Sequence, residues 1–402
     1  MAKASKEDSI FQGFSDVEKG FFVEEASKQE QVSDVISTGS VGLDDALCCG
    51  GLPAGRLIQF YGPAGSGKTL LTMISIIEAQ KKNEDAFQLF IDAEGSWDND
   101  WAEILGIDTT RVRRVHGPNA SNGRELFEFL LGTPKKDKAG HLDGKSKLGF
   151  FDHVREGDLN CNLVILDSLG VIIPPMEDTS EVGKMNMSLM ARFLAVELKK
   201  VSVEAQRTNV PVILINHVKD VIGEMFNPEK YTFSGGNMLK HQLSVNILFE
   251  AVQRKDSQIL NDAGEKIGQT VRATVKKNKF GPWPRTVEFK INFQEGIVDK
   301  AQELLDLAIK WEIIIKPNNS SYQYGDVSWH GAAKAINAIA ETEGMAAELL
   351  GKIVKARRDS IEAKKAKRHE ASAVTGSMLD LPKSDEESAG SRPVKLKKVN
   401  NV

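Results

Sequence analysis

The run Gly62-Pro-Ala-Gly-Ser-Gly-Lys-Thr69 fits the phosphate-binding pattern G-x-x-x-x-G-K-[ST] at every fixed position. These residue types dictate a chemistry. Gly62, Gly65 and Gly67, spaced by Pro63, Ala64 and Ser66, let backbone N–H groups curl around a β-phosphate. Lys68 brings a cation to the β/γ oxygens, Thr69 offers a hydroxyl to Mg²⁺, and Leu70 continues into a helix. A nucleoside triphosphate is the expected ligand. Two carboxylates are candidates to complete a hydrolytic site. Asp167 closes the apolar run Leu163-Val-Ile-Leu-Asp167 in the manner of a Walker B acid, a metal-holding carboxylate followed by Ser168. Glu94, at the end of Phe90-Ile-Asp-Ala-Glu94, is placed to orient or deprotonate an attacking water. A strand ending in Asp is common and a lone Glu equally well caps a helix, so both draw their weight from the phosphate loop.

The elements that must hold these groups are legible around them. Leu57 to Tyr61 reads as a buried strand entering the loop, and Lys68 to Lys82 as a helix leaving it, its dipole aimed at the phosphates. Phe87–Asp92, Asn162–Asp167 and Pro211–Asn216 are short apolar runs, the pattern of parallel strands covered on both faces. A long helix is expected over roughly 184–208. The third run ends in Asn216-His217, so polar groups recur at the carboxyl ends of strands, where open α/β sheets bind ligands. Val245 to Gln253, Thr270 to Lys277 and Arg285 to Phe293 read as an antiparallel extension joined by turns such as Asn261-Asp-Ala-Gly264. Residues 301–345 read as a small, mainly helical attachment.

Composition sets the frame. A chain of 402 residues, 41% hydrophobic and 27% charged, can bury a sizeable core. It contains no apolar run of membrane-spanning length and no secretory-type N-terminal segment, which reads as cytoplasmic. Three cysteines, with Cys48 and Cys49 adjacent, give neither a disulfide framework nor metal-ligand spacing. The net charge of −4 is unevenly spread: from Lys352 onward 13 basic residues face 7 acidic ones, whereas the body is acidic. Any nucleic-acid site must therefore come from a local groove. Beyond Ser360 the composition suits a helix end and then a disordered tail, whose basic Lys395–Lys398 run is either a contact or a solvated end.

Taken in order, Ile36-Ser-Thr-Gly-Ser40, Gly50-Gly-Leu-Pro-Ala-Gly-Arg56, the phosphate loop, Phe90–Glu94, Asp167-Ser168, Gly235-Gly-Asn237 and Lys277-Asn-Lys279 resemble the bacterial RecA recombinases over roughly residues 33–345. The resemblance implies an α/β fold with a RecA-type P-loop NTPase core, a mostly parallel central sheet with an antiparallel extension, and a small α-rich C-terminal attachment. It divides the chain into an oligomerisation segment (1–32), the ATPase core (33–300, with an insertion at about 134–160), a small C-terminal domain (301–351) and a charged tail (352–402). It further implies a DNA-dependent ATPase that polymerises on single-stranded DNA with ATP and Mg²⁺ between protomers, and exchanges that strand with double-stranded DNA. Single-strand-binding or mediator proteins are expected partners; a membrane is not.

Carried over position by position, the resemblance makes Lys68 and Thr69 the phosphate and Mg²⁺ ligands, Asp167 the metal acid and Glu94 the base. Trp101 falls where the family stacks an aromatic on adenine, with Asp98 near the base's amino edge; on pattern alone Trp101 is equally a core residue. Lys277 and Lys279 resemble the pair that reaches the neighbour's γ-phosphate, although two lysines at a strand end are otherwise an ordinary solvated edge. DNA contacts fall to loops resembling 174–185 and 218–236: Ile222, which would insert between bases, with Gly223, Met225 and Phe226, then the amides of Gly235, Gly236 and Asn237, with Arg192 and Lys199 on the helix between. His217 replaces the family's γ-phosphate-sensing Gln. This and the insertion mark a divergent member, compatible with a phage origin and a bacterial host cytoplasm. Residues 7–28, with Phe11, Phe14, Phe21 and Phe22, only loosely represent the family's polymerisation helix. A ring-shaped helicase motor and an ATP-gated mediator scaffold are the alternatives; Gly235-Gly236 and Lys277-Asn-Lys279 argue against the first.

Overall fold

A computed structural model describes residues 34–136, 142–175, 187–220, 231–233, 235–254 and 256–379. The central sheet is built in chain order from β1 (Leu57–Gly62), β2 (Phe87–Asp92), β3 (Val112–Val115), β4 (Cys161–Asp167), β5 (Val212–Asp220), β6 (Val245–Ala251), β7 (Lys266–Asn278), β8 (Arg285–Asn292) and β9 (Gly296–Val298). In space the strands lie in the order β9-β8-β7-β6-β1-β5-β4-β2-β3. From β6 to β3 every pairing is parallel, and from β6 to β9 every pairing is antiparallel. The expected parallel sheet with an antiparallel extension is thus what the chain forms. Helices α1 (Lys68–Lys82) and α2 (Met187–Thr208) cover it.

The side-chain alternation of the strands explains why both faces are covered. Ile58, Phe60, Phe90, Leu163, Ile165, Ile213 and Ile215 join one buried cluster, with Leu71, Met73 and Ile76 of α1. Their chain neighbours Leu57, Tyr61, Leu89, Ile91, Val164, Leu166, Val212 and Leu214 join the other, with Leu194, Leu198 and Val201 of α2. Period-two alternation with no polar face forces helices onto both sides, and each such side chain contributes roughly 2 kcal/mol of burial.

Three expectations need adjusting. The segment 134–160, expected to be one insertion, has two parts: Thr133–Lys136 and Leu142–Lys147 form an antiparallel hairpin, whereas Phe150 and Phe151, on the helix Phe150–Glu156, enter the core. The C-terminal attachment is α-rich, with helices Lys300–Lys310 and Ala332–Glu341, but it also holds a three-stranded sheet that the sequence reading lacked, Ile315–Asn318, Ser321–Tyr324 and Val327–His330. The boundary expected at 351/352 falls inside a helix, Met345–Leu379, which replaces the first part of the expected tail. The oligomerisation segment 1–32 lies outside the described residues.

The C-terminal unit has its own core around Leu305, Ala308, Tyr322, Ile339 and Leu349. It is tied to the body through the short helix Val41–Ala46. Glu303 accepts from Ser40 Oγ (2.6 Å) and Gly42 N (2.9 Å), and Asp45 from Lys310 Nζ (2.6 Å) and Trp311 Nε1 (3.2 Å). Among the described residues no helix is long and apolar enough to cross a membrane.

Candidate active site

The register of the parallel strands brings the chemistry to one edge. Gly62, where β1 becomes the phosphate loop, is level with His217 of β5, and Asp92 of β2 with Asp167 of β4. Two glycines make the loop possible. Gly62 has φ 156° and a Cβ there would stand 2.1 Å from the Phe249 carbonyl oxygen; Gly67, at φ 91°, caps α1 where a Cβ would press on Ile291 and Val271. The antiparallel extension also grips the loop, since buried Gln269 of β7 donates to the Gly65 carbonyl at 2.7 Å. Leu70 anchors the start of α1 in the core.

Lys68 is buried, and its ammonium donates to the carbonyls of Gly62 (2.9 Å) and Pro63 (2.8 Å). Burial pushes this amine below its ordinary range, while Asp167 and Glu94 pull it back up. Asp167 is also buried, which raises its carboxyl to about 6; the Ser96 hydroxyl, donating at 2.9 Å, lowers it, Glu94 and Asp92 raise it, and His217 lowers it. Asp167 Oδ1, Ser66 Oγ and Ser168 Oγ are buried with no hydrogen-bond partner among the described residues. Unsatisfied oxygens beside the phosphate loop, together with the Thr69 hydroxyl, form an all-oxygen donor set that suits Mg²⁺ and a polyphosphate.

Glu94 and His217 come together: His217 Nε2 lies 3.1 Å from Glu94 Oε1, both side chains being part-exposed. The sequence placed these residues separately and did not foresee their pairing. Asp98 caps the helix Asn99–Ile104 by accepting from Trp101 N at 2.8 Å, and Trp101 packs on the core while its indole donates to the Phe293 carbonyl at 2.5 Å. Both also have structural work at these positions. Ser96, Asp92, Arg114 and Gln269 were missed. The available signals were a hydroxyl two residues past Glu94, the Arg113-Arg114 pair inside a strand, and a Gln between Gly268 and Thr270 in β7.

Lys277 and Lys279 are not near this edge. Val245 pairs with Asn278 on one side and with Ile58 on the other, so the lysines are level with the start of β1. The phosphate loop leaves β1 four residues further on, about 13 Å along the strands. Lys277 donates to the carbonyls of Lys240 and His241, and burial, then Lys279, lowers its ammonium. Of the expected DNA contacts, Arg192 and Lys199 are exposed on α2. Gly235 (φ 100°) caps the helix Gly236–Gln242, which packs on α2; a Cβ on Gly236 would touch Ala191, next to Arg192. The backbone of Asn237 lies in that helix, and its side chain is outside the described residues. Ile222, Gly223, Met225 and Phe226 lie outside them as well, as does most of the loop at 174–185.

The family model for the RecA N-terminal domain matches residues 9–132 and 143–298. The chain belongs to the RecA family. It is 38% identical to Protein RecA of Cytophaga hutchinsonii over 70% of each chain. It is 35% identical to Protein RecA of Methylococcus capsulatus over 80% of this chain and 84% of the relative. With Protein RecA of Porphyromonas gingivalis it shares 34% over 83% and 88%. The RecA match breaks only across residues 133–142, at the hairpin, so the departure from the family is shorter than the segment 134–160.

Proposed function

We infer that this chain is a DNA-dependent ATPase and recombinase, which forms ATP-bound filaments on single-stranded DNA and promotes pairing and strand exchange with homologous duplex. The observation that carries this reading is the division of labour across the sheet: Lys68, Asp167, Glu94 and His217 gather at the carboxyl edge, while Lys277 and Lys279, at the end of β7, are level with the opposite edge, the start of β1. Head-to-tail stacking of such protomers brings one protomer's lysines to its neighbour's nucleotide, and a heterologous contact of that kind propagates as a helix.

Each residue has a task in that scheme. Lys68 exchanges the Gly62 and Pro63 carbonyls for β/γ-phosphate oxygens, and the loop amides and the N-terminus of α1 hold the remaining charge. Thr69 and Asp167 would hold Mg²⁺, which when bound would offset charge on the phosphate oxygens. Glu94 takes up the proton of the attacking water, and His217, paired to it, senses the γ-phosphate and passes its state to the following loop. Trp101 and Asp98 flank the adenine. Arg192, Lys199 and the Gly235–Gly236 amides hold DNA phosphates without reading bases. Thermodynamic linkage then requires ATP and DNA to strengthen each other's binding.

The deciding experiment is ATP turnover with and without long poly(dT), over a protein concentration series at two salt levels. Cooperative, salt-sensitive stimulation is expected. Turnover indifferent to DNA and to protein concentration would overturn the reading.

A further inference from the structure

The turn that presents Glu94 depends on one carboxylate. Asp92 is 2% exposed and ends β2; its Oδ1 accepts from Ser96 N at 2.8 Å and its Oδ2 from Trp97 N at 3.3 Å. Those two amides close the loop around Glu94. The far side of the loop is tied to β4, where Ala93 N (2.8 Å) and Glu94 N (3.2 Å) donate to the Asp167 carbonyl and Ser96 Oγ donates to the Asp167 carboxylate at 2.9 Å. The Asp92 carboxylate therefore fixes both the base and, through Ser96, the orientation of the metal acid.

A buried carboxylate needs a cation, and here it comes from the outermost strand. Arg114 on β3 donates to Asp92 Oδ2 through Nε (3.0 Å) and Nη2 (2.6 Å). Its two arginine neighbours are engaged elsewhere: Arg113 donates to the Thr110 carbonyl and lies over the Phe87 ring, and Arg111 donates to the carbonyls of Asn83 and Ala86. A guanidinium gripping one oxygen through two N–H groups sets the orientation of the carboxylate, which a single ammonium does not.

We propose that Arg114 is a positioning residue for ATP hydrolysis: by orienting Asp92 it sets the loop that holds Glu94 at the water and Asp167 at the metal. The proposal rests on the reading of Glu94 as base. It separates Arg114 from the binding residues, because among the described residues no hydrogen bond or ion pair joins the phosphate loop or α1 to this pair, and nucleotide affinity is left to them.

The test uses the full chain with single-stranded DNA, comparing wild type, Arg114→Met, Arg114→Lys and Glu94→Gln. Arg114→Met should lose about tenfold in kcat, and Arg114→Lys a few-fold, with KM for ATP and the affinity for a non-hydrolysable ATP analogue within about twofold of wild type. Removing the partner of a buried charge is destabilising, so where Arg114→Met does not fold, Arg114→Lys decides by the same split. If both arginine variants keep wild-type kcat while Glu94→Gln is inactive, the positioning role is overturned and the base reading stands. A parallel loss of kcat and analogue affinity also overturns it, since that is the mark of a general structural effect. Normal turnover in Glu94→Gln removes the base reading and the proposal with it.

Discussion

Two backbone carbonyls occupy the Lys68 ammonium, and an imidazole faces the Glu94 carboxylate, so the residues proposed to bind ATP and to hydrolyse it are held by different contacts. Their losses should therefore separate. Glu94→Gln keeps the shape of the side chain and loses the base: ATP binding measured on filters should survive while turnover falls about 100-fold. Turnover close to wild type would remove Glu94 from that role. Gly62 makes a different kind of contribution. With a Cβ 2.1 Å from the Phe249 carbonyl, Gly62→Ala must displace β6 from β1, at a cost on the order of 3 kcal/mol by denaturant titration. A midpoint unchanged from wild type would show that the strands separate more easily than this packing implies. The glycines and Lys68 are legible in the sequence because their spacing is bound to one chemistry, and Asp167 takes its weight from them. Arg114 and Ser96 leave only faint signals there, since the contacts that single them out form only where β2, β3 and β4 lie side by side.

At the scale of elements, the spans Lys68–Lys82 and Phe87–Asp92 coincide with the sequence reading because a left-handed Gly67 starts the helix and a near-continuous apolar run, interrupted by Gln88 and closed by Asp92, makes the strand. The C-terminal sheet escaped notice for the opposite reason. Ile315–Asn318 is exposed at every position, so no alternation betrays it. The junction between the two units was equally hidden, because it consists of carboxylates buried by contacts distant in sequence. Asp44, beside Glu303, accepts from Ser37 Oγ, Thr38 N and Thr38 Oγ1, and burial raises its carboxyl to about 7. Burial raises Glu303 too. A carboxyl raised on folding binds protons more readily in the native state, so its contribution to stability is complete below the unfolded pKa near 4 and fades as the pH climbs through about 7. Asp44→Asn should remove that fading: between pH 5 and pH 8 wild type should lose on the order of 2 kcal/mol more than the variant. Calorimetric unfolding at both pH values measures this difference, and a constant gap between the proteins would mean that Asp44 stays ionised throughout.

At the scale of the whole molecule, the question is whether one protomer can complete its own site. Lys277 and Lys279 are at the end of β7 level with the start of β1, and Lys277 holds the carbonyl end of the helix that begins at Gly236. No rotation of a four-carbon side chain spans the sheet from there to the phosphate loop, so any action of these lysines on γ-phosphate must be on a neighbour's. Complementation follows. A Lys68→Ala protein has both lysines and no nucleotide grip; a Lys277→Ala, Lys279→Ala protein has an intact phosphate loop and nothing to offer its neighbour. Each alone should be nearly inactive on single-stranded DNA. Mixed in equal amounts they should regain roughly a quarter of wild-type turnover, because half the loops are intact and half of those face an intact pair of lysines in a head-to-tail array. Thermal unfolding of the double variant checks that losing the bonds to Lys240 and His241 has not simply melted that helix. If the mixture stays as inactive as its parts while both proteins remain folded and co-assemble, the lysines do not act across the interface, and the dependence of hydrolysis on assembly must come from the Glu94–His217 side of the site.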